Sequence, residues 1–87
     1  MTEETIVVEA PNGLHARPVT ELVKLVKSFD GTEVTIATAA KKVKATSMLS
    51  ILSLGLKKGT EIVIAAEGGD EKSAVEAVRD LILSVKD

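Results

Sequence analysis

The chain lacks several residue types, and each absence excludes a class of protein. It contains no cysteine, which excludes disulfide bonds and thiolate metal sites. It has no tryptophan or tyrosine and a single phenylalanine, so its core must be built from valine, isoleucine, leucine and alanine. With 45% hydrophobic and 28% charged residues it has an ordinary globular balance. A chain of 87 residues predicts a single domain, 1–87, with one modest core.

Long apolar runs and a strong excess of one charge are also missing. The acidic start, Met1–Glu4, is followed by no long apolar segment, so we expect no signal peptide, no membrane insertion and a cytoplasmic location. A net charge of -2 and the near absence of aromatic residues argue against nucleic-acid binding. We interpret the only basic cluster, Lys41, Lys42 and Lys44, as a solvated turn. The chain has neither a Walker-type glycine-rich loop nor an obvious Mg²⁺ carboxylate pair, so we expect no cofactor, no metal and no catalysis by the chain alone.

Hydrophobic spacing predicts seven elements in the order β-α-β-β-α-β-α. The predicted strands are Thr5–Glu9, Glu33–Thr38, Lys41–Lys44 and Glu61–Ala66. The predicted helices run from Ala16 to Lys27, from Ser47 to Leu54 with Gly55 after it, and from an N-cap at Asp70 to near the C-terminus. Helices separated by single strands and one hairpin predict an α+β fold, in which helices cover one face of an antiparallel sheet.

The only histidine, His15, lies in the segment Gly13-Leu14-His15-Ala16-Arg17-Pro18, where a helix pattern begins. At a helix start the first backbone N–H groups have no partner within the helix, and the helix dipole favours negative charge. Arg17 offers a planar fork for phosphate oxygens, and Gly13 would let the loop backbone approach a ligand. The positive helix end disfavours imidazolium, so we expect a neutral, nucleophilic ring. The segment predicts a site for a phosphoryl group; the simpler alternative is a surface histidine that caps a helix.

The second predicted helix carries more apolar residues than one short helix can bury. Ile51 and Leu54 share a side and are expected to face the core. The remaining three would form an apolar patch near the histidine: Met48, Leu49 and Leu52. Such a surplus on a surface helix favours a protein-binding patch, and methionine adapts to several partners. The alternative is that these residues simply pack in the core.

Taken together, these segments resemble the histidine-containing phosphocarrier (HPr) family of the bacterial sugar phosphotransferase system. The resemblance covers nearly all of the chain. The segments that carry it are Gly13–Pro18, Ser47-Met48-Leu49, Leu54-Gly55, Lys58-Gly59 and the turn from Glu67 to Glu71. It implies an open-faced β-sandwich with four antiparallel strands and three helices on one side.

The resemblance also implies a phosphoryl carrier that is not itself an enzyme. His15 would accept a phosphoryl group on Nδ1 from phospho-enzyme I and pass it to sugar-specific IIA proteins or domains, while Arg17 would steady the phosphate. The implied docking surface consists of Ala16, Arg17, Met48, Leu49 and Leu52. A monomer is the expected state for a carrier that moves between partners.

The resemblance makes Ser47 a candidate regulatory residue. HPr-like proteins of many Gram-positive bacteria carry a serine here that an ATP-dependent HPr kinase/phosphorylase modifies, and a catabolite-control transcription factor is a further candidate partner. A serine at a helix start is also an ordinary N-cap, so both roles are open. A phosphate would place negative charge in the docking patch.

Two departures from the family pattern concern this region. The stretch from Ala37 to Thr46 lacks the usual Asn-Gly or Gly turn, and the serine is displaced by one residue. A one-residue insertion in or near the Lys41 hairpin accounts for both and leaves Thr46 as an alternative to Ser47.

Two other functions are considered beside the carrier. One is a regulatory module that acts only through Ser47 and partner binding. The other is a small ferredoxin-like ligand-sensing domain without phosphate chemistry, which has a similar order of elements but leaves the pairing of His15 with Arg17 unexplained.

Overall fold

A computed structural model describes residues 1–85. Its elements follow the predicted order: β1 (Thr2–Val7), α1 (Ala16–Lys27), β2 (Glu33–Ala37), β3 (Lys42–Lys44), α2 (Met48–Ser53), β4 (Glu61–Glu67) and α3 (Glu71–Ser84). None of the helices formed by residues 1–85 has both the length and the hydrophobicity that crossing a membrane requires.

The four strands form one antiparallel sheet in the order β1-β4-β2-β3. Ile36 lies opposite Val43 on one side and Ile64 on the other, so one row of aliphatic side chains crosses three strands. Since alternate residues of a strand face opposite sides, these side chains all point toward the helices. The predicted α+β class and open-faced sandwich are confirmed.

The core lies between this face of the sheet and the helices, and it is aliphatic. The largest fully buried side chains are Leu22, Ile36, Ile51, Ile62, Ile64 and Ile82, with six valines. Phe29, the only aromatic residue, is partly buried and packs against the edge of this cluster. Within residues 1–85 no polar or charged residue is buried, so the core needs no internal hydrogen-bonding network.

The first strand differs most from its predicted bounds. It begins at Thr2 and ends at Val7, whereas the sequence predicted Thr5–Glu9. The acidic start becomes a strand because β4 supplies a ladder for it, with Thr2 opposite Ala66. Glu4 is further held by Arg79 of α3, whose Nη1 donates to both carboxylate oxygens at 3.0 and 3.1 Å.

The start of α3 also corrects a prediction. Asp70 occupies the N-cap position, but its side chain makes no capping hydrogen bond. The carboxylate of Glu71 instead accepts from the Gly68 N–H at 2.9 Å and the Thr2 hydroxyl at 3.1 Å, and pairs with the Met1 ammonium at 3.2 Å. The Gly68 N–H, the Met1 ammonium and the Thr2 hydroxyl hold the pKa of the Glu71 carboxyl below its ordinary value.

Candidate functional site

His15 lies at the N-cap position of α1, the first residue outside the helix, with extended backbone angles of φ -101° and ψ -172°. Its carbonyl accepts from the Val19 N–H at 3.2 Å and so begins the helix ladder. Its side chain is exposed and makes no capping hydrogen bond. The imidazole is therefore available to another molecule rather than used to close the helix end.

The first turn of α1 presents donors and no negative charge. Ala16 and Arg17 are its first two residues, and amides in these positions have no carbonyl partner within the helix. Pro18 follows without an N–H group and is buried, which suits a position where no donor is needed. The first turn contains no acidic residue, and Arg17 is exposed. This end of the helix can therefore hold an anion beside His15.

Gly13 positions the loop that carries the histidine, but not as the sequence predicted. Its φ is +71°, and a Cβ at this position would collide with the carbonyl oxygen of Leu56. The neighbouring Leu14 N–H donates to that same oxygen at 2.8 Å. The close approach that requires glycine is therefore made to the backbone of Leu56 and Lys57, not to a ligand. This contact ties the histidine loop to the segment that follows α2.

The start of α2 lies against the first turns of α1. The Thr20 hydroxyl donates to the Ala16 carbonyl at 2.8 Å and lies 3.5 Å from the Sδ of Met48. This contact brings the apolar residues of α2 next to the helix that begins at His15. The sequence did not single out Thr20, although its position one turn after Ala16 places it on the same side of the helix.

The apolar residues of α2 divide between core and surface. Ile51 is buried, and Leu54 is half-buried and packs against the core as expected. Leu49 is 80% exposed, whereas Met48 and Leu52 are half-buried and contact the edge of the core. The surface of the predicted patch is thus dominated by Leu49.

Ser47 caps α2, as one of its two predicted roles requires. Its Oγ accepts from the Ser50 N–H at 3.3 Å and donates to the Ser50 Oγ at 2.9 Å. Sequence reasoning missed Ser50. The signal that could have found it is its spacing, because it occupies the place of the glutamate or glutamine in a capping box.

A threonine organises the β2–β3 turn, where the family that this chain resembles commonly has an Asn-Gly pair. The Thr38 Oγ1 accepts from the backbone N–H groups of Ala40 and Lys41 at 3.2 and 3.4 Å. Lys41 then reaches across to α2, where its Nζ donates to the Ser53 Oγ at 3.0 Å. All three lysines of the basic cluster are exposed as expected, but Lys42 and Lys44 lie in strand β3 because they pair with β2, and only Lys41 belongs to the turn.

Among residues 1–85, no group of three or more histidine, cysteine, aspartate or glutamate side chains comes together in a way that could hold a metal ion.

Comparisons with known proteins agree on one family. Residues 2–84 match the family model described as the PTS HPr component phosphorylation site. The phosphocarrier protein HPr of Vibrio cholerae is 42% identical over 76 residues, which are 87% of this chain and 88% of that protein.

Solved structures show the same likeness. HPr-C-His from Thermoanaerobacter tengcongensis is 39% identical with a TM-score of 0.89, and the match covers 97% of this chain and 93% of that one. A phosphocarrier protein HPr from Bacillus anthracis is 32% identical with a TM-score of 0.87, covering 93% and 95% of the two chains. The chain therefore belongs to the HPr family of phosphocarrier proteins of the phosphotransferase system.

Proposed function

We propose that this chain carries a phosphoryl group on His15 between phospho-enzyme I and sugar-specific IIA proteins or domains. The observation that carries the proposal is the exposed imidazole at the start of the 12-residue helix α1, with no side-chain hydrogen bond to the helix end. Membership of the phosphocarrier family gives this imidazole its chemistry. The chain acts as a protein substrate of its partners and not as an enzyme.

Phosphoryl transfer requires the carrier mainly to position the acceptor nitrogen and to stabilise the negative charge of the phosphoryl group. The Nδ1 lone pair of His15 attacks the phosphorus of the donor, so that one bond to phosphorus forms as the bond to the donor breaks. The free amides of the first turn and the Arg17 guanidinium stabilise the negative charge of the group once attached. Transfer to the IIA protein reverses these steps with a different partner. Because the phosphoryl group arrives already activated, the carrier needs no nucleotide or metal of its own.

Both partners dock on one surface, formed by Ala16, Arg17, Met48, Leu49 and Leu52. Its support is the contact between Thr20 and Met48, which sets α2 beside α1, and the 80% exposure of Leu49. An apolar side chain held in solvent next to the acceptor gains free energy when a partner covers it. A monomer in the cytoplasm is the form that meets both partners in turn.

Ser47 is the regulatory site, modified by an ATP-dependent HPr kinase/phosphorylase. A phosphate there adds negative charge beside the docking surface and weakens the approach of an acidic partner. The same phosphate creates an acceptor that a catabolite-control transcription factor can recognise. Ser47 is supported over Thr46 by its place as the N-cap of α2, directly before Met48, where a phosphate would lie at the start of the helix and beside the docking surface.

The test is incubation with radioactive phosphoenolpyruvate and enzyme I. We expect an acid-labile, base-stable label on the wild-type chain, as phosphohistidine requires, and none on His15→Ala. Ser47→Ala is the matched control and should be labelled like the wild type, since its acceptor is unchanged. A label retained by folded His15→Ala would contradict the assignment of the acceptor.

A further inference from the structure

The three serines of the α2 region form a ladder at three-residue spacing. The Ser47 hydroxyl donates to the Ser50 Oγ at 2.9 Å. The Ser53 hydroxyl donates to the Ser50 carbonyl at 2.6 Å and accepts from Lys41. Ser47 and Ser50 are half-buried, so water competes only partly for the hydrogen bond between them. Ser50 therefore contacts the candidate regulatory hydroxyl through both its backbone and its side chain.

The Ser50 Oγ is within hydrogen-bond distance of the Ser47 Oγ and can accept its proton. A serine hydroxyl has one proton to donate and two lone pairs that accept. The Ser50 N–H occupies one lone pair of Ser47, and the Ser50 Oγ receives the proton. When the Ser50 Oγ accepts this proton, the Ser47 hydroxyl points along α2 and not toward solvent.

Phosphorylation requires the opposite arrangement. The Ser47 Oγ forms a bond to the γ-phosphorus of ATP, the bond between that phosphorus and the departing ADP breaks, and the hydroxyl proton passes to a base on the kinase. The base can take the proton only after the hydrogen bond to Ser50 has opened. On the basis of the proposed function of Ser47, we propose that Ser50 is a positioning residue that slows phosphorylation of Ser47 by holding its hydroxyl proton.

The variant Ser50→Ala isolates this effect. It keeps the backbone N–H that donates to the capping Ser47 Oγ and removes only the side-chain acceptor. We expect the kcat/KM of an HPr kinase/phosphorylase for Ser47 to rise about three- to tenfold, the factor that one net hydrogen bond between neutral groups represents. Ser50→Thr keeps a hydroxyl in the same place and should return the rate to near the wild-type value. Unchanged or slower phosphorylation of Ser50→Ala would overturn the proposal.

Ser53→Ala is the matched control, because it also removes a serine hydroxyl from the same side of α2 but leaves the Ser47–Ser50 pair intact. We expect its rate to stay within about twofold of the wild type, below the effect of one hydrogen bond. An equal rise in both alanine variants would instead indicate general loosening of α2 and would also overturn the role of Ser50. Thermal unfolding of each variant identifies any loss of fold.

Proton NMR provides a measurement without the kinase. The Ser47 hydroxyl proton should exchange with water slowly in the wild type and rapidly in Ser50→Ala. Equally rapid exchange in both would contradict the proposal even if Ser47 is a kinase substrate. The wild-type chain could also show the exchange difference and yet take no label from ATP and the kinase. That result would contradict the regulatory function of Ser47, and the hydrogen bond to Ser50 would then have a structural role only.

Discussion

At the scale of single residues, the sequence was enough to single out the candidate site residues. It was not enough to predict the packing contacts that hold them in place. His15 and Arg17 stand out because the chain has one histidine and a helix pattern begins beside it. The role of Gly13 could not be predicted, because its neighbour Leu56 lies 43 positions away in the chain and is met only after folding. A glycine in a loop indicates freedom or close approach, but not what approaches.

Substitution of Gly13 tests this contact. Gly13→Ala should lower the free energy of unfolding by about 2 kcal/mol or more, because it adds backbone strain at positive φ and displaces the Leu56 carbonyl. It should also slow labelling of His15 by enzyme I, since the loop shifts. The comparison is made by thermal unfolding and by the rate of labelling.

Gly55→Ala provides the control for Gly13. Gly55 has a φ of +62°, but a Cβ there meets nothing within 4 Å. Gly55→Ala should therefore introduce backbone strain without a collision and should destabilise the chain less than Gly13→Ala does. Equal destabilisation in the two variants would show that the close contact with Leu56 does not contribute to the free energy of unfolding.

At the scale of elements, α2 shows what helical periodicity can predict and what it cannot. Its six residues were correctly predicted to lie between a cap at Ser47 and a glycine end at Gly55, and Ile51 was correctly assigned to the core. The half-burial of Met48 and Leu52 depends on how closely α1 and the sheet approach, which a helical repeat does not specify. Of the apolar residues of α2, only Leu49 is largely exposed.

Leu49 should therefore contribute to docking and little to stability. Leu49→Glu is expected to leave thermal unfolding nearly unchanged, because the side chain is already 80% exposed. It should raise the KM of enzyme I for this carrier about tenfold, as loss of a central apolar anchor does. Steady-state labelling with varied carrier concentration measures this.

Leu83→Glu is the matched control for charge. Leu83 is 37% exposed on α3 and is not one of the five residues of the docking surface, so its substitution adds the same charge without removing the anchor. Its KM should remain near the wild-type value. If both substitutions raise the KM equally, net charge and not the Leu49 contact governs binding.

At the scale of the whole molecule, β1 and α3 are joined across the full length of the chain. Arg79 holds Glu4, and Glu71 holds Thr2 and the Met1 ammonium, so two carboxylates link the first strand to the last helix. These contacts explain why the acidic start forms a strand. Residues that look solvated in sequence order acquire partners about 70 positions away.

The contacts of Glu71 make the link between β1 and α3 dependent on pH. The pKa of its carboxyl is lowered in the fold from the ordinary 4.5, so its ionised form is favoured by folding. Its contribution is therefore present in full above the unfolded value and is lost as the pH falls through the lowered folded value. The melting temperature of Glu71→Gln should lie below that of the wild type at neutral pH, and the gap should close in acid.

Glu76→Gln on the same helix is the control, since Glu76 takes no part in the contacts at Thr2 and Gly68. It should show a smaller gap at neutral pH. A gap for Glu71→Gln that stays constant down to strongly acidic pH would contradict the role of its charge.

What the sequence by itself determined is the kind and order of the elements, the aliphatic core and the place of the histidine at a helix start. These depend on side-chain spacing within one element and on the chemistry of neighbouring residues, both of which are local. Tertiary structure alone decided the length of β1, the reason for glycine at position 13 and the half-burial of Met48 and Leu52. Each of these depends on which distant segment comes into contact, and that choice is made by packing of the whole chain.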